Sequence, residues 1–153
     1  MTEHTTQATI LVVEDDSTIR HLVQIILKKG GFEVLTASSG AEALSIEASF
    51  PRPIDLLLSD VVMPGTTGPE LAMILKTRRS NLRVMLMSGY PNGALLLLNY
   101  GWHFIAKPFM PEALLRRVRD VLGSAIEEQN TDQFDTRKER AKRSWPPVID
   151  PIQ

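Results

Sequence analysis

Cysteine is missing from this 153-residue chain, so neither a disulfide nor a thiolate metal site can form. That fits a reducing compartment. A surplus of one charge is missing as well. Lys and Arg number 17 against 18 Asp and Glu, a formal net charge of -1, and nothing in the bulk charge draws the chain to nucleic acid or to an anionic membrane. No apolar run approaches the roughly 20 residues that cross a bilayer, and the polar residues 1–9 lack the apolar core of a secretory signal. No internal repeat is visible. The expectation is a cytoplasmic protein without membrane association, one domain followed by a tail.

A hydrophobic fraction of 43% is enough for a sizeable core. Strand-like and helix-like segments alternate along the first four-fifths of the chain. Ile10-Leu11-Val12-Val13 is a continuous apolar run, the mark of a strand buried on both faces. Residues 17–29 follow, with Ile19, Leu22, Val23, Ile26 and Leu27 at helical spacing, Asp16 or Ser17 as a cap, and Gly30-Gly31 as a stop. Residues 32–37 alternate like a strand nearer a sheet edge. Residues 39–49 read as a helix with Ala41, Leu44, Ile46 and Ala48 as its apolar positions. Residues 54–59 form the next strand. Gly68-Pro69 opens a third helix bearing Leu71, Ile74 and Leu75, with Pro where a missing N–H is harmless. Strands at 84–87 and 104–106 enclose a short apolar helix at 93–100. A last helix runs from Pro111 to about Glu128, with Leu114, Leu115, Val118, Val121 and Leu122 inward.

Five such units with right-handed crossovers predict an α/β fold: a doubly wound, five-stranded parallel sheet with helices on both faces. Residues 1–8 read as a flexible N-terminus, 9–123 as the domain, and 124–153 as the end of the last helix plus a polar, basic and Pro-rich tail too short for its own core.

The chemistry sits where the strands end. Open α/β sheets bind ligands in the crevice beyond the carboxyl ends of their strands. Here the first strand runs into Glu14-Asp15-Asp16 and the third into Asp60, followed by Val61-Val62-Met63-Pro64-Gly65. The fourth runs into Ser88-Gly89, and the fifth into Lys107-Pro108. Taken singly, each has a plain explanation. The first acids favour a helix N-terminus, Asp60 forms a turn, Ser88-Gly89 is a loop pair, and Lys107 is an exposed lysine. Jointly, four coincidences at four matching strand ends are improbable.

The set Glu14-Asp15, Asp60 with Met63-Pro64 and Gly68, Ser88-Gly89 and Lys107-Pro108-Phe109 resembles the receiver domain of bacterial response regulators in two-component phosphorelays. The family has a flavodoxin-like sheet of order 2-1-3-4-5. The resemblance implies that Asp60 accepts a phosphoryl group as an aspartyl phosphate, from a histidine kinase or a histidine phosphotransfer protein. It implies Mg²⁺ as cofactor, ligated by Asp15, Asp60 and the backbone carbonyl of Val62, with Glu14 acting through water. Lys107 and Ser88 would contact the phosphoryl oxygens, Ser88 and Phe104 would carry the switch, and the Lys107–Pro108 peptide bond would be cis. Only about 5–6% of X-Pro bonds are cis, so that expectation discriminates. Output would be contact with a downstream protein, with no enzymatic turnover of its own; homodimerisation is left open.

The sequence departs from the pattern in places. The span from Ser88 to Lys107 is short, which predicts a short or irregular fourth helix. Val62 and Tyr90 flank the site where many relatives carry polar groups that orient water, which predicts a long-lived aspartyl phosphate. Phe104 lacks the hydroxyl of a tyrosine. Tyr100 and Trp102 read as structural filling beside the output face. The tail offers no helix-turn-helix-sized segment, so no DNA-binding domain is expected in the chain, and the basic run 137–143 reads as a solvated extension. The starting Met1 and the tail favour a complete small protein. Rival readings are the receiver of a hybrid histidine kinase, and a degenerate binding module. An aspartyl-phosphate phosphatase is disfavoured because Val62 stands where its general acid is needed. A flavodoxin is disfavoured because Glu14-Asp15-Asp16 would repel a phosphate.

Overall fold

The structure, a computed structural model, describes residues 7–89 and 101–123. Five strands and four helices follow in the order β1 (Thr9–Val13), α1 (Ser17–Lys29), β2 (Glu33–Ala37), α2 (Gly40–Ser49), β3 (Leu56–Asp60), α3 (Gly68–Arg78), β4 (Arg83–Ser88), β5 (His103–Ala106) and α4 (Pro111–Gly123). All pairings are parallel, and the sheet order is β2-β1-β3-β4-β5. The expected short helix at 93–100 and the tail from 124 onward lie outside the described residues. No helix among the described residues is long and apolar enough to cross a membrane.

Alternation along the strands divides the core in two. Leu11, Val13, Leu57, Val84 and Leu86 face one side, packed with Ala43 of α2 and Leu71, Ala72 and Leu75 of α3. Ile10, Val12, Leu56, Leu58, Met85 and Met87 face the other, packed with Val23, Ile26 and Leu27 of α1 and Leu114, Val118 and Val121 of α4. The central strands are buried on both faces, which is why they read as unbroken apolar runs. β2 alternates in sequence because it is an edge, and four of its five residues are only half-buried.

Helix ends follow the side-chain chemistry. Asp16 caps α1 by accepting from the N–H groups of Thr18 and Ile19. Gly30 closes it, and Gly31 turns the chain with φ at +93°. Ser39 caps α2 and Thr67 caps α3.

Three helical expectations are corrected. Leu22 is 51% exposed on α1, so that stripe is narrower than its apolar spacing implied. Ile74 of α3 also lies at the surface. On α2, Ala41 and Ala48 face solvent, and the buried positions are Gly40, Ala43 and Glu47. Glu47 is inside because two arginines hold it: Arg78 at 3.0 Å and Arg79 at 3.1 Å. The Arg79 guanidinium also donates to the carbonyls of Glu47, Phe50 and Arg52, which satisfies the C-terminal end of α2 and ties it to α3.

β3 ends one residue later than expected, so Asp60 is its last residue. Immediately beyond it the chain loops back. The Gly68 N–H donates to the Val61 carbonyl at 2.9 Å, which brings the start of α3 against the Asp60 main chain. A β-carbon on Gly68 would stand 2.2 Å from the Asp60 carbonyl oxygen, a backbone atom that cannot step aside. Gly68→Ala is therefore expected to destabilise the fold by about 1–3 kcal/mol, the usual cost of overpacking. Urea denaturation measures this, and an unchanged midpoint would show that the close approach is not limiting.

Candidate functional site

Strand register decides which side chains can meet. Val13 pairs with Ser59, so Glu14 stands level with Asp60. Asp60 pairs with Met87, and Ser88 pairs with Ala106. Pairing continues past the strand ends: the Glu14 N–H donates to the Ala37 carbonyl at 3.1 Å, Val61 to Met87 at 3.0 Å and Lys107 to Ser88 at 2.8 Å. Four strand ends are thus aligned at one edge of the sheet. Lys107, two positions beyond the level of Asp60, has a side chain long enough to reach back over it.

It does so. The Lys107 ammonium lies 2.6 Å from Glu14 Oε2 and 3.2 Å from Asp60 Oδ2. Glu14 is 1% exposed, and its other oxygen accepts from the Asp16 N–H at 3.2 Å. The Lys107 side chain is 17% exposed, so it is not the solvated lysine of the plain reading. Asp60 is the last residue of β3 and its carboxylate faces Lys107, which places it in the strand and not in the turn of the plain reading. The three acids divide their work. Asp16 takes the helix-capping role, Glu14 turns into the lysine, and Asp15 stays exposed beside them.

The charges perturb one another. Burial pushes the Glu14 carboxyl above its ordinary value of 4.5; the hydrogen bonds from Lys107 and the Asp16 N–H oppose the shift, and the nearby Asp60 charge adds to it. Burial works to lower the Lys107 ammonium. The hydrogen bond to Glu14 and the charges of Asp60 and Glu14 outweigh it, so its pKa is raised above 10.5 and it stays a cation at neutral pH.

Glu14, Asp15 and Asp60 each offer one carboxylate oxygen, and these lie within 4.8 Å of one another. An all-oxygen, anionic donor set suits a hard divalent cation such as Mg²⁺ and not a soft one. The acids line an open cavity of about 420 Å³ together with Ile19, Val62, Gly89 and Lys107. Ser88 is buried at the end of β4. Phe104 and Trp102 are half-buried and pack against the core on the α2–α3 side, so Trp102 does serve as filling. The Phe104 carbonyl accepts from Arg117 of α4 at 3.0 Å. The Lys107–Pro108 bond is cis, as expected. Tyr90 and Tyr100 lie outside the described residues.

Two contacts were not foreseen. Arg20 Nη1 donates to the Glu14 carbonyl at 2.8 Å, and Gly68 sits directly behind Asp60. A basic residue one turn into α1 and a Gly-Pro helix start are visible in the sequence, but neither signals what it touches.

Comparison with known proteins agrees with this geometry. The model of the response regulator receiver domain matches residues 10–119. The chain is 34% identical over 118 residues to the sensor kinase CckA of Brucella abortus, an alignment covering 75% of this chain and 12% of that protein. It is 33% identical over 119 residues to the phosphate regulon transcriptional regulatory protein PhoB of Pseudomonas aeruginosa, covering 74% and 51%. Among solved structures, the response regulator TrrA of Thermotoga maritima, in complex with Mg²⁺-BeF, superposes with a TM-score of 0.67 at 29% identity, over 75% of this chain and 99% of that one. The chain spans about half the length, or less, of these curated relatives. It belongs to the response regulator receiver family.

The raised Glu14 carboxyl has a stability consequence. A group held above its unfolded value stabilises the fold below that value, and the contribution is lost as pH rises through the folded one. At neutral pH the buried, charged Glu14 is therefore a cost. Glu14→Gln is expected to melt at a higher temperature than the parent chain at pH 7, and the gap should close as pH falls through the range above 4.5. Calorimetric scans at stepped pH check both; a lower melting temperature at pH 7 would show that the ion pair outweighs burial.

Proposed function

We propose that this receiver takes a phosphoryl group on Asp60 from a histidine kinase or a histidine phosphotransfer protein. The observation that carries the reading is the Lys107 ammonium held 3.2 Å from Asp60 at the mouth of an acidic cavity. In the transfer, an Asp60 carboxylate oxygen forms a bond to phosphorus as the bond to the donor imidazole nitrogen breaks; the electron pair stays on that nitrogen, and with a proton on the other ring nitrogen the imidazole leaves neutral. Such a transfer needs in-line positioning and charge neutralisation more than covalent help.

Each residue has a part. Asp60 is the nucleophile. Lys107 neutralises charge on the phosphoryl oxygens, and the buried Ser88 hydroxyl donates to one of them. Gly89, exposed at the cavity wall, leaves space beside them. Asp15, Asp60 and the Val62 carbonyl would hold Mg²⁺ directly and Glu14 through water. When bound, the cation supplies positive charge to the same oxygens. The phosphoryl group would favour one arrangement of Ser88 and Phe104 over another and so shift a pre-existing equilibrium at a protein-binding face. The product is a stored signal on residues 9–123, so the chain acts as a cytoplasmic signalling module and not as a turnover enzyme. A downstream protein, or a second copy of the chain, would read that face. The likeness to a receiver carried by a sensor kinase favours one further reading, a multistep relay in which the donor is a phosphotransfer protein.

Incubation with acetyl phosphate and Mg²⁺ tests the site, with intact mass as the readout. A single phosphoryl adduct is expected, dependent on Mg²⁺ and absent from Asp60→Asn. An adduct that survives in Asp60→Asn would move the acceptor elsewhere.

Val62 is 57% exposed and lines the cavity mouth, where its apolar side chain cannot orient an attacking water. The aspartyl phosphate is therefore expected to be long-lived, and Val62→Asn to shorten its lifetime several-fold. A half-life of seconds in the parent chain, followed by mass spectrometry after donor removal, would refute this.

A further inference from the structure

Asp15 is the loosest member of the acidic group. Its carboxylate is exposed and makes no hydrogen bond or ion pair with any described residue. Its place beside Glu14 and Asp60 is therefore set by its main chain. That main chain is held on one side by Arg20, whose Nη1 donates to the Glu14 carbonyl at 2.8 Å. This carbonyl belongs to the peptide joining Glu14 to Asp15, so the contact fixes the plane from which the Asp15 side chain departs.

An acid lies near enough to Arg20 for their charges to interact. Glu42, at the start of α2, accepts from the Ser38 N–H at 3.0 Å and the Ser38 hydroxyl at 2.6 Å. Those two bonds hold its carboxyl below the usual range, and the Arg20 charge adds to the effect. Ser38 follows Ala37, whose carbonyl accepts from the Glu14 N–H at 3.1 Å. These bonds tie the acidic loop to the start of α2, where the Glu42 carboxylate and the Arg20 guanidinium act on each other through space. Arg20, Ser38 and Glu42 are not among the residues that line the cavity.

We propose that Arg20 is a positioning residue: by fixing the Glu14–Asp15 peptide it places the Asp15 carboxylate and sets the affinity of the acidic site for a divalent cation. The inference rests on the reading of Glu14, Asp15 and Asp60 as the cation site. Its sign is diagnostic. As a bare positive charge near the site, Arg20 would repel a cation, and its removal would tighten binding. As a positioning group it does the reverse, because outer partners that orient metal ligands typically contribute about 10–100-fold in affinity.

The test is calorimetric titration of Mg²⁺ into the full chain and into Arg20→Gln, Arg20→Lys and Glu42→Gln, with far-ultraviolet melts to confirm folding at the titration temperature. Arg20→Gln is expected to weaken Mg²⁺ binding about tenfold. Arg20→Lys, which keeps a donor for the Glu14 carbonyl, should recover most of the loss, and Glu42→Gln should show a smaller loss in the same direction. Unchanged or tighter binding in Arg20→Gln, or no recovery in Arg20→Lys, overturns the proposal while leaving the cation site intact. If Arg20→Gln is unfolded, the other two variants decide on the same terms. Absence of Mg²⁺ binding by the parent chain would overturn the reading of the site, and the role of Arg20 with it.

Discussion

The edge of the sheet where the strands end is organised by one cation. Lys107, carried past the end of β5, lies against Glu14 from β1 and Asp60 from β3. Without it, two carboxylates would face each other at a partly buried position, and burial already pushes one of them toward its neutral form. A buried charge left without its partner is far costlier than an exposed one. The ammonium makes the arrangement tolerable without removing the crowding, and a concentration of negative oxygen is what a hard cation requires. Stability and function draw on the same atoms in opposite directions.

The far end of the molecule is built on the opposite principle. There, Arg79 satisfies the carbonyls of Glu47, Phe50 and Arg52 while pairing with the Glu47 carboxylate, and Arg78 shares that acid. Every group has a partner and little is left to react. The same protein thus keeps a saturated corner that locks α2 to α3 and an unsaturated edge that can accept something new. Such a division is common where a rigid scaffold carries a reactive surface.

Much of this is legible in the amino-acid sequence. Unbroken apolar runs located the central strands because both faces of a parallel sheet are covered. The acids, the hydroxyl and the lysine could be assigned to one edge because each follows such a run. What failed did so for identifiable reasons. Ala41 and Ala48 count as apolar positions of α2 yet face solvent, because alanine carries little information about which face it occupies, whereas Glu47 is buried by two arginines remote in sequence. Leu22 extended the apolar stripe of α1 in sequence but not in space. Arg20 and Gly68 were readable as residues and unreadable as contacts. Each acts on a main-chain carbonyl, and main-chain carbonyls leave no trace in a sequence.

Gly68 carries a mechanical implication. The Asp60 carbonyl accepts the Ser59 hydroxyl at 2.9 Å, and the α-carbon of Gly68 is so near that even a methyl group will not fit between them. The Asp60 main chain consequently has little free volume on the side of Gly68. Any load placed on the Asp60 side chain would find β3 already braced against the start of α3. The strand at the centre of the sheet thus has a stiff side, toward α3, and an open side, toward the cavity.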